Sequence, residues 1–191
     1  MRPALLAALF VLPATAALAH HPDGRLDEEI ASREPAFAKI DVMAPEVAGI
    51  EAAGLAGYAD RIIVLNVVPE DCGAPCEDQV KLLADAQAKI AVSPMASMVE
   101  FVSVVPEAEA AGFAAAHGLD PANWEVRGAA DAEVEAVGAG LAATLSEGGA
   151  AGEPVTYVFD HGGRLAAAFR GTGFQPLNLV LYVNGLTNAM E

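Results

Sequence analysis

The chain has 191 residues, 54% of them hydrophobic, and carries 26 acidic against 10 basic side chains. The formal net charge of −16 at pH 7 argues against partners such as nucleic acid or anionic lipid surfaces. The length suits one domain with a real core, and neither a repeat nor an internal boundary is visible.

The N-terminus comes first in chain order. Arg2 precedes an apolar stretch over 4–12, and Ala17-Leu18-Ala19 offers small residues for cleavage. The stretch is short for a bilayer span, which takes roughly 20 residues, and Pro13 interrupts it. Residues 1–19 therefore read as a cleaved signal peptide, with a membrane anchor as the alternative. The globular part is expected to be exported to a periplasm, with no membrane span after cleavage. Residues 20–35 are polar and read as a flexible arm, and the domain is expected to occupy 36–191.

Within the domain, 37–58 is weakly patterned and predicts at most short strands. The continuous apolar run 61–68 predicts a central strand covered on both faces. Val80, Leu83, Ala84 and Ile90 recur at helical spacing and predict a helix from Cys76 to Ile90. A second strand follows over 99–105, then a helix over 107–117 stopped by Gly118. Residues 119–124 form a turn leading Trp124 and Val126 into a short strand. Asp131 is a candidate cap for a helix whose Val134, Val137, Leu141 and Leu145 share one face. A glycine-rich loop spans 146–152. Strands over 155–159 and 165–169 are joined by Asp160-His161-Gly162-Gly163, a hairpin turn by composition. A last helix is predicted over 176–187; it is too short to cross a membrane and should pack on the sheet. Strands alternating with helices, closed by a hairpin and a helix, make the fold class α/β.

The chain contains two cysteines, Cys72 and Cys76, in Val67-Val68-Pro69-Glu70-Asp71-Cys72-Gly73-Ala74-Pro75-Cys76. A strand, a short dithiol loop and a helix present two sulfurs that can form a reversible disulfide or hold a soft metal ion. A purely structural bridge is the plainer alternative, but closing so short a loop removes little unfolded-state entropy. Cys76 lies where a helix begins, and the positive end of the helix dipole lowers a thiol pKa. Asp71, Glu77 and Asp78 oppose that effect by repelling a thiolate. If they prevail, the disulfide is comparatively stable and the pair suits a reductant.

Several stretches resemble one family. They are the segment 55–76 ending in Cys-x-x-x-Cys, Ala116-His117-Gly118-Leu119-Asp120-Pro121-Ala122-Asn123-Trp124, the tail from Phe174 to Asn188, and the arm His20-His21-Pro22-Asp23-Gly24-Arg25-Leu26-Asp27. Together they resemble the Sco/SenC family of thioredoxin-like copper proteins. The resemblance implies a thioredoxin-like fold, a central mixed sheet flanked by helices. It also implies an exported assembly factor for the dinuclear copper site of cytochrome c oxidase. Family members bind copper through two cysteines, here Cys72 and Cys76, and a distant histidine; some act as thiol–disulfide reductants. The histidine does not carry over. Its place, counted back from the aspartate matching Asp160, falls on Gly152. The family's acidic residue after the second strand is also missing, since Val104-Val105-Pro106 stands there. Pro154 begins Pro154-Val155-Thr156, which resembles the proline–threonine strand entry of thioredoxin-like reductases, and so implies a cis proline facing the sulfurs; from the residues alone, a trans proline beginning a strand is the alternative.

Copper(I) is soft and accepts two thiolates, so Cys72 and Cys76 alone suffice for it, whereas copper(II) prefers nitrogen ligands. Loss of the histidine therefore favours copper(I) over copper(II). His161 is expected roughly 25–30 Å from Gly152, at about 3.3 Å per strand residue, too far to substitute. His117 reads as a surface or capping residue, and Met95 and Met98 as core fillers. Trp124 reads as core or as a loop anchor. His20 and His21 are the substitutes to consider, because cleavage after Ala19 would leave an α-amine beside the imidazole of His20; the plainer reading is that two histidines in a flexible arm have no specific role.

Three functions fit these features. The first is copper(I) handling or dithiol maintenance in oxidase assembly, on Cys72 and Cys76. The second is a thiol–disulfide oxidoreductase acting on other exported thiol proteins, with Pro154 helping to bind them. The third is a binding module that has kept the fold alone. The expected partner is an oxidase subunit or another exported thiol protein, and the chain is expected to be a monomer.

Overall fold

The computed structural model describes residues 25–55, 60–145 and 152–188. Six strands form one mixed sheet: β1 (Phe37–Met43), β2 (Ile62–Val67), β3 (Val99–Pro106), β4 (Trp124–Ala129), β5 (Val155–Phe159) and β6 (Arg164–Arg170), in the order β1-β6-β5-β2-β3-β4. Strands β2, β3 and β4 run parallel, while β5 is antiparallel to β2, and β6 to both β5 and β1. Among the described residues five α-helices accompany the sheet: α1 (Arg25–Arg33), α2 (Ala74–Ala91), α3 (Glu107–His117), α4 (Asp131–Ala142) and α5 (Pro176–Asn188).

The apolar run predicted as a covered strand is β2, near the middle of the sheet. Side chains alternate across a strand, and both faces of β2 are filled. Ile62 and Val64 enter a core built with α1, α2, α3 and α5, and Ile63 and Leu65 enter one built with α4 and the short 3-10 turn Ile50–Ala53. Val80, Leu83 and Ile90 form the buried stripe of α2, each no more than 1% exposed. The tail helix α5 packs on the sheet through Leu179, Tyr182 and Val183. Among the described residues, no helix is long and apolar enough to cross a membrane.

Several local signals act as expected. Gly118 ends α3 at φ +65°, and the N–H of Leu119 bonds to the carbonyl of Ala114 at 3.0 Å, a left-handed helix stop. The turn after it is pinned to α2, because Gln87 donates to the Asp120 carbonyl and to Asn123 Oδ1, both at 2.8 Å. Asp160 and Gly163 close the β5–β6 hairpin, with the Gly163 N–H 3.0 Å from the Asp160 carbonyl.

Other expectations need correction. Asp131 does not cap α4: the helix is entered from Ala130, whose N–H donates to Glu133 Oε2 at 3.1 Å. A carboxylate reaching back from inside the first turn does the work expected of the residue before it. The weakly patterned segment after residue 36 holds a full strand, β1, paired along β6 from Phe37↔Phe169 to Met43↔Arg164 with one irregularity. β1 is an edge strand in which only Phe37 and Ile40 are buried, one in each core, so its apolar pattern is faint.

The larger correction concerns the arm. Within 20–35, residues 25–33 form α1, Ile30 is buried at 1% exposure, and Leu26 packs on the same core. Glu34, 4% exposed, accepts hydrogen bonds from the N–H of Gln175 and from Asn178 Nδ2, both at 2.9 Å. A carboxylate at the start of α5 answers N–H groups that the helix cannot satisfy and complements its dipole. Two apolar residues and one buried acid thus dock a segment whose composition is otherwise that of a solvated tail. Glu34→Ala is expected to lower unfolding free energy by about 2–3 kcal/mol, since it orphans the Asn178 amide and the α5 entrance. Urea denaturation of variant against parent measures this, and a loss under about 0.5 kcal/mol would remove Glu34 as the anchor.

Candidate functional site

The dithiol loop leaves the C-terminal end of β2. The Cys72 N–H bonds to the Pro69 carbonyl at 3.1 Å, closing a tight turn, and Gly73 follows with φ +60°. That backbone suits glycine, since a side chain there would be strained. Helix α2 begins at Ala74, two residues before the expected start, because Pro75 is acceptable in a first turn where its missing N–H is not needed. Cys76 therefore lies inside the first turn, its N–H 3.1 Å from the Gly73 carbonyl.

Cys72 and Cys76 are joined by a disulfide, with Cα atoms 5.7 Å apart, within the usual span. Their surroundings differ. Cys76 is 2% exposed and belongs to the core beside Val80 and Val64, whereas Cys72 is half-buried at its edge. One sulfur is open to a partner and the other is covered. Of the three acids expected to crowd the loop, Asp78 is paired with Lys81 at 2.8 Å, which raises the Lys81 pKa through that hydrogen bond. Asp71 and Glu77 are exposed.

Beneath Cys76 runs a buried chain of side-chain hydrogen bonds. Trp124 Nε1 donates to Ser103 Oγ at 3.0 Å, and Ser103 Oγ donates to Asn66 Oδ1 at 2.7 Å. Asn66 Nδ2 reaches Gln79 Oε1 at 3.5 Å, and Gln79 Nε2 donates to Thr156 Oγ1 at 3.1 Å. Asn66, Gln79, Ser103 and Thr156 are all fully buried. The chain crosses β4, β3, β2 and β5 and grips α2 one turn after Cys76, which fixes the helix start that carries the sulfur. Sequence reading missed these residues. The signal was present as polar side chains at inward positions of apolar runs: Asn66 in β2, Ser103 in β3, and Gln79 on the stripe of α2.

The remaining expected site residues are scattered. Pro154 lies just before β5, whose register with β2 (Asn66↔Thr156) brings it to the sheet end where the dithiol loop starts. All described peptide bonds are trans, so the expected cis bond at Pro154 is not present. Its carbonyl instead accepts the Gly171 N–H at 2.8 Å, and Pro154 serves as the entry to an inner strand where its missing N–H does no harm. Gly152 is at φ +85°, and a Cβ there would meet nothing within 4 Å. His161 is exposed in the β5–β6 turn, at the opposite end of the sheet from the cysteines. Met95 is buried at 7% exposure and accepts from Thr187 Oγ1, a core role as expected, and Met98 is half-buried. His20, His21 and the segment 1–19 lie outside the described residues. Among those described, no group of three or more histidine, cysteine, aspartate or glutamate side chains is gathered as a metal cluster.

Two hollows flank the loop. One, of about 430 Å3, lies between the start of α2 and α3 and is lined by Cys76, Val68, Val80 and Phe113 among others. The other, of about 250 Å3, is bordered by Glu70, Asp71, Asp131 and Glu135. His117, expected on the surface, is half-buried at the rim of the larger hollow with its ring 4.5 Å from that of Phe113.

Among solved structures, the chain is similar to BsSco, a member of the Sco family of cytochrome c oxidase assembly proteins (TM-score 0.55, 15% identity, 72% of this chain and 86% of that one). It is equally similar to a Sco/SenC family lipoprotein from Bacillus anthracis (TM-score 0.55, 14% identity, 70% and 85%). A secreted thiol-disulfide isomerase from Corynebacterium glutamicum also matches (TM-score 0.50, 18% identity, 79% and 85%). The fold is thioredoxin-like. This bears out the expected α/β class and mixed sheet, and at such identities the likeness is one of fold. No family model matches the sequence, and no curated protein matches it. In this thioredoxin-like frame the disulfide sits between the C-terminal end of β2 and the first turn of α2, with Cys76 covered and Cys72 half-buried.

Proposed function

We propose that the protein is an exported, Sco/SenC-like dithiol protein that reduces disulfides in other exported thiol proteins. The observation that carries this reading is the asymmetry of the pair, with Cys72 half-exposed on a turn and Cys76 covered in the first turn of α2. In the reduced protein, the Cys72 thiolate attacks a partner disulfide, and one partner sulfur leaves. Cys76 then attacks Cys72 Sγ, the second partner sulfur leaves, and the Cys72–Cys76 bond re-forms. Two electrons pass to the partner. The helix dipole favours a thiolate on Cys76, and the neighbouring acids Asp71 and Glu77 oppose it.

Copper(I) as cargo is the second reading. Once reduced, the pair is a two-thiolate donor set of the kind copper(I) accepts, and the likeness to Sco structures supports it. Cys72 and Cys76 would hold the ion; nitrogen ligation for copper(II) would have to come from the segment holding His20 and His21. An oxidase subunit is then the recipient. Export rests on the N-terminal pattern of residues 1–19.

Equilibration of the mature protein with glutathione tests the first reading. The expected reduction potential lies below about −180 mV, and a value near or above about −120 mV would make the pair an oxidant instead. Anaerobic copper(I) competition tests the second: one tightly held ion per chain, lost in Cys72→Ser and in Cys76→Ser, is expected. Absence of both activities leaves a fold-only binding module.

A further inference from the structure

The larger hollow opens beside the covered sulfur, on the side of the loop away from Pro154. Its floor is apolar, made by Val68, Val80 and Phe113, each no more than 9% exposed. Its rim carries three exposed carboxylates, Glu70 from the loop, Glu77 from α2 and Glu109 from α3, beside the half-buried His117. Gly112 leaves the wall open: a Cβ there would meet nothing within 4 Å.

We propose that this groove seats the flank of a thiol-bearing partner segment, extended, with an apolar side chain beside its cysteine and a lysine or arginine next to that. The proposal rests on the dithiol reading and names the partner chemistry for the same site. An apolar floor removes one side chain from water. Three carboxylates around it select a cation and repel an acidic strand, and the net charge of −16 extends that preference outward. One strand residue spans about 3.3 Å, so a partner sulfur bonded to Cys72 leaves its neighbours within reach of the groove beside Cys76. Sequence discrimination would then come from the α3 side of the loop, not from the strand entry at Pro154.

The test uses the mature protein and two short peptides, each with one cysteine flanked by leucine and carrying either two lysines or two glutamates. Both are supplied as symmetric disulfides, with oxidised glutathione as the small reference. Reduced protein attacks through Cys72 and releases one peptide thiol; Cys76 closes the ring and releases the second, so a dithiol becomes a disulfide and one peptide disulfide becomes two thiols. The lysine peptide is expected to react about tenfold faster than the glutamate peptide, with the preference falling as salt rises. In Gly112→Leu the rate ratio of lysine peptide to glutathione should fall about tenfold, because leucine fills the groove; removing a helical glycine also favours the helix. Glu109→Lys should lower the same ratio and Val92→Ser, exposed just past the end of α2, should not. Equal rates for the two peptides, or an unchanged ratio in Gly112→Leu, overturns the groove. A fluorescein-labelled serine version of the lysine peptide, titrated against the oxidised protein by anisotropy, separates this from the redox reading. If no disulfide reacts, the dithiol reading fails. Binding lost in Gly112→Leu still sustains the groove, and no binding to the parent protein overturns it.

Discussion

Cys76→Ser protein is expected to accumulate as a stable mixed disulfide with its partner, whereas Cys72→Ser protein is expected to react no faster than buffer alone. The two thiols are four residues apart in sequence, yet only Cys72 has an open side. Cys76 is 2% exposed and held within the core beside Val80, so a bulky partner disulfide cannot approach it. A serine at 72 therefore removes the attacking sulfur. A serine at 76 leaves the first exchange intact and removes the second, because no resolving thiol remains to release the partner. Non-reducing gel electrophoresis after incubation with a disulfide-bonded protein substrate, followed by mass spectrometry of the adduct, measures both. Equal trapping by the two variants would mean that the helix turn opens far enough to expose Cys76, and the assigned roles would be lost.

The second large effect is on stability. Gln79→Ala is expected to lower unfolding free energy by about 2–4 kcal/mol, since it strips partners from Asn66 Nδ2 and Thr156 Oγ1 in a fully buried layer and leaves a cavity. For a domain of this size that corresponds to a fall in Tm of about 5–15 °C. The hydrogen bonds form one chain, so Asn66→Ala made in the Gln79→Ala background should cost less than it does alone. The emission of Trp124 should shift as well, because its indole N–H ends the same chain at Ser103. Thermal unfolding followed by circular dichroism and by tryptophan emission tests all three. Strict additivity of the two substitutions would show that the 3.5 Å link between Asn66 and Gln79 carries no coupling.

These variants also bear on the copper(I) reading. A dithiol grips copper(I) best when its two sulfurs are held at fixed separation, and the buried layer under Gln79 is what fixes the start of α2. Loss of copper(I) affinity in Gln79→Ala, alongside intact cysteines, would tie metal handling to the same support as redox exchange.

Much of this could be read along the chain because the determining forces are local. The alternation of β2 and β3 with α2 and α3 follows from the spacing of apolar residues. The stop at Gly118 follows from a left-handed backbone that glycine adopts without strain, and the β5–β6 hairpin from Asp160 through Gly163. The dithiol loop was legible because cysteines between a strand and a helix have few other uses. Asp131 was misread because the cap of α4 comes from Glu133, and the choice between neighbouring acids depends on how the chain enters the helix.

Other features depend on residues that the sequence separates widely. Glu34 and Asn178, 144 positions apart, turn an acidic N-terminal stretch into a docked helix. Phe37 finds Phe169, and β1 becomes a strand only by pairing with β6. Pro154 is trans, and its carbonyl is held by the N–H of Gly171, a neighbour that no local motif announces. The sequence by itself determined that two sulfurs would stand between a central strand and a helix in an acidic chain, because strand and helix periods, turn residues and composition act over a few residues. Only the tertiary structure decided which sulfur is covered, what holds its helix in place and where a hollow opens beside it, because burial and hydrogen-bond satisfaction are properties of the packed whole.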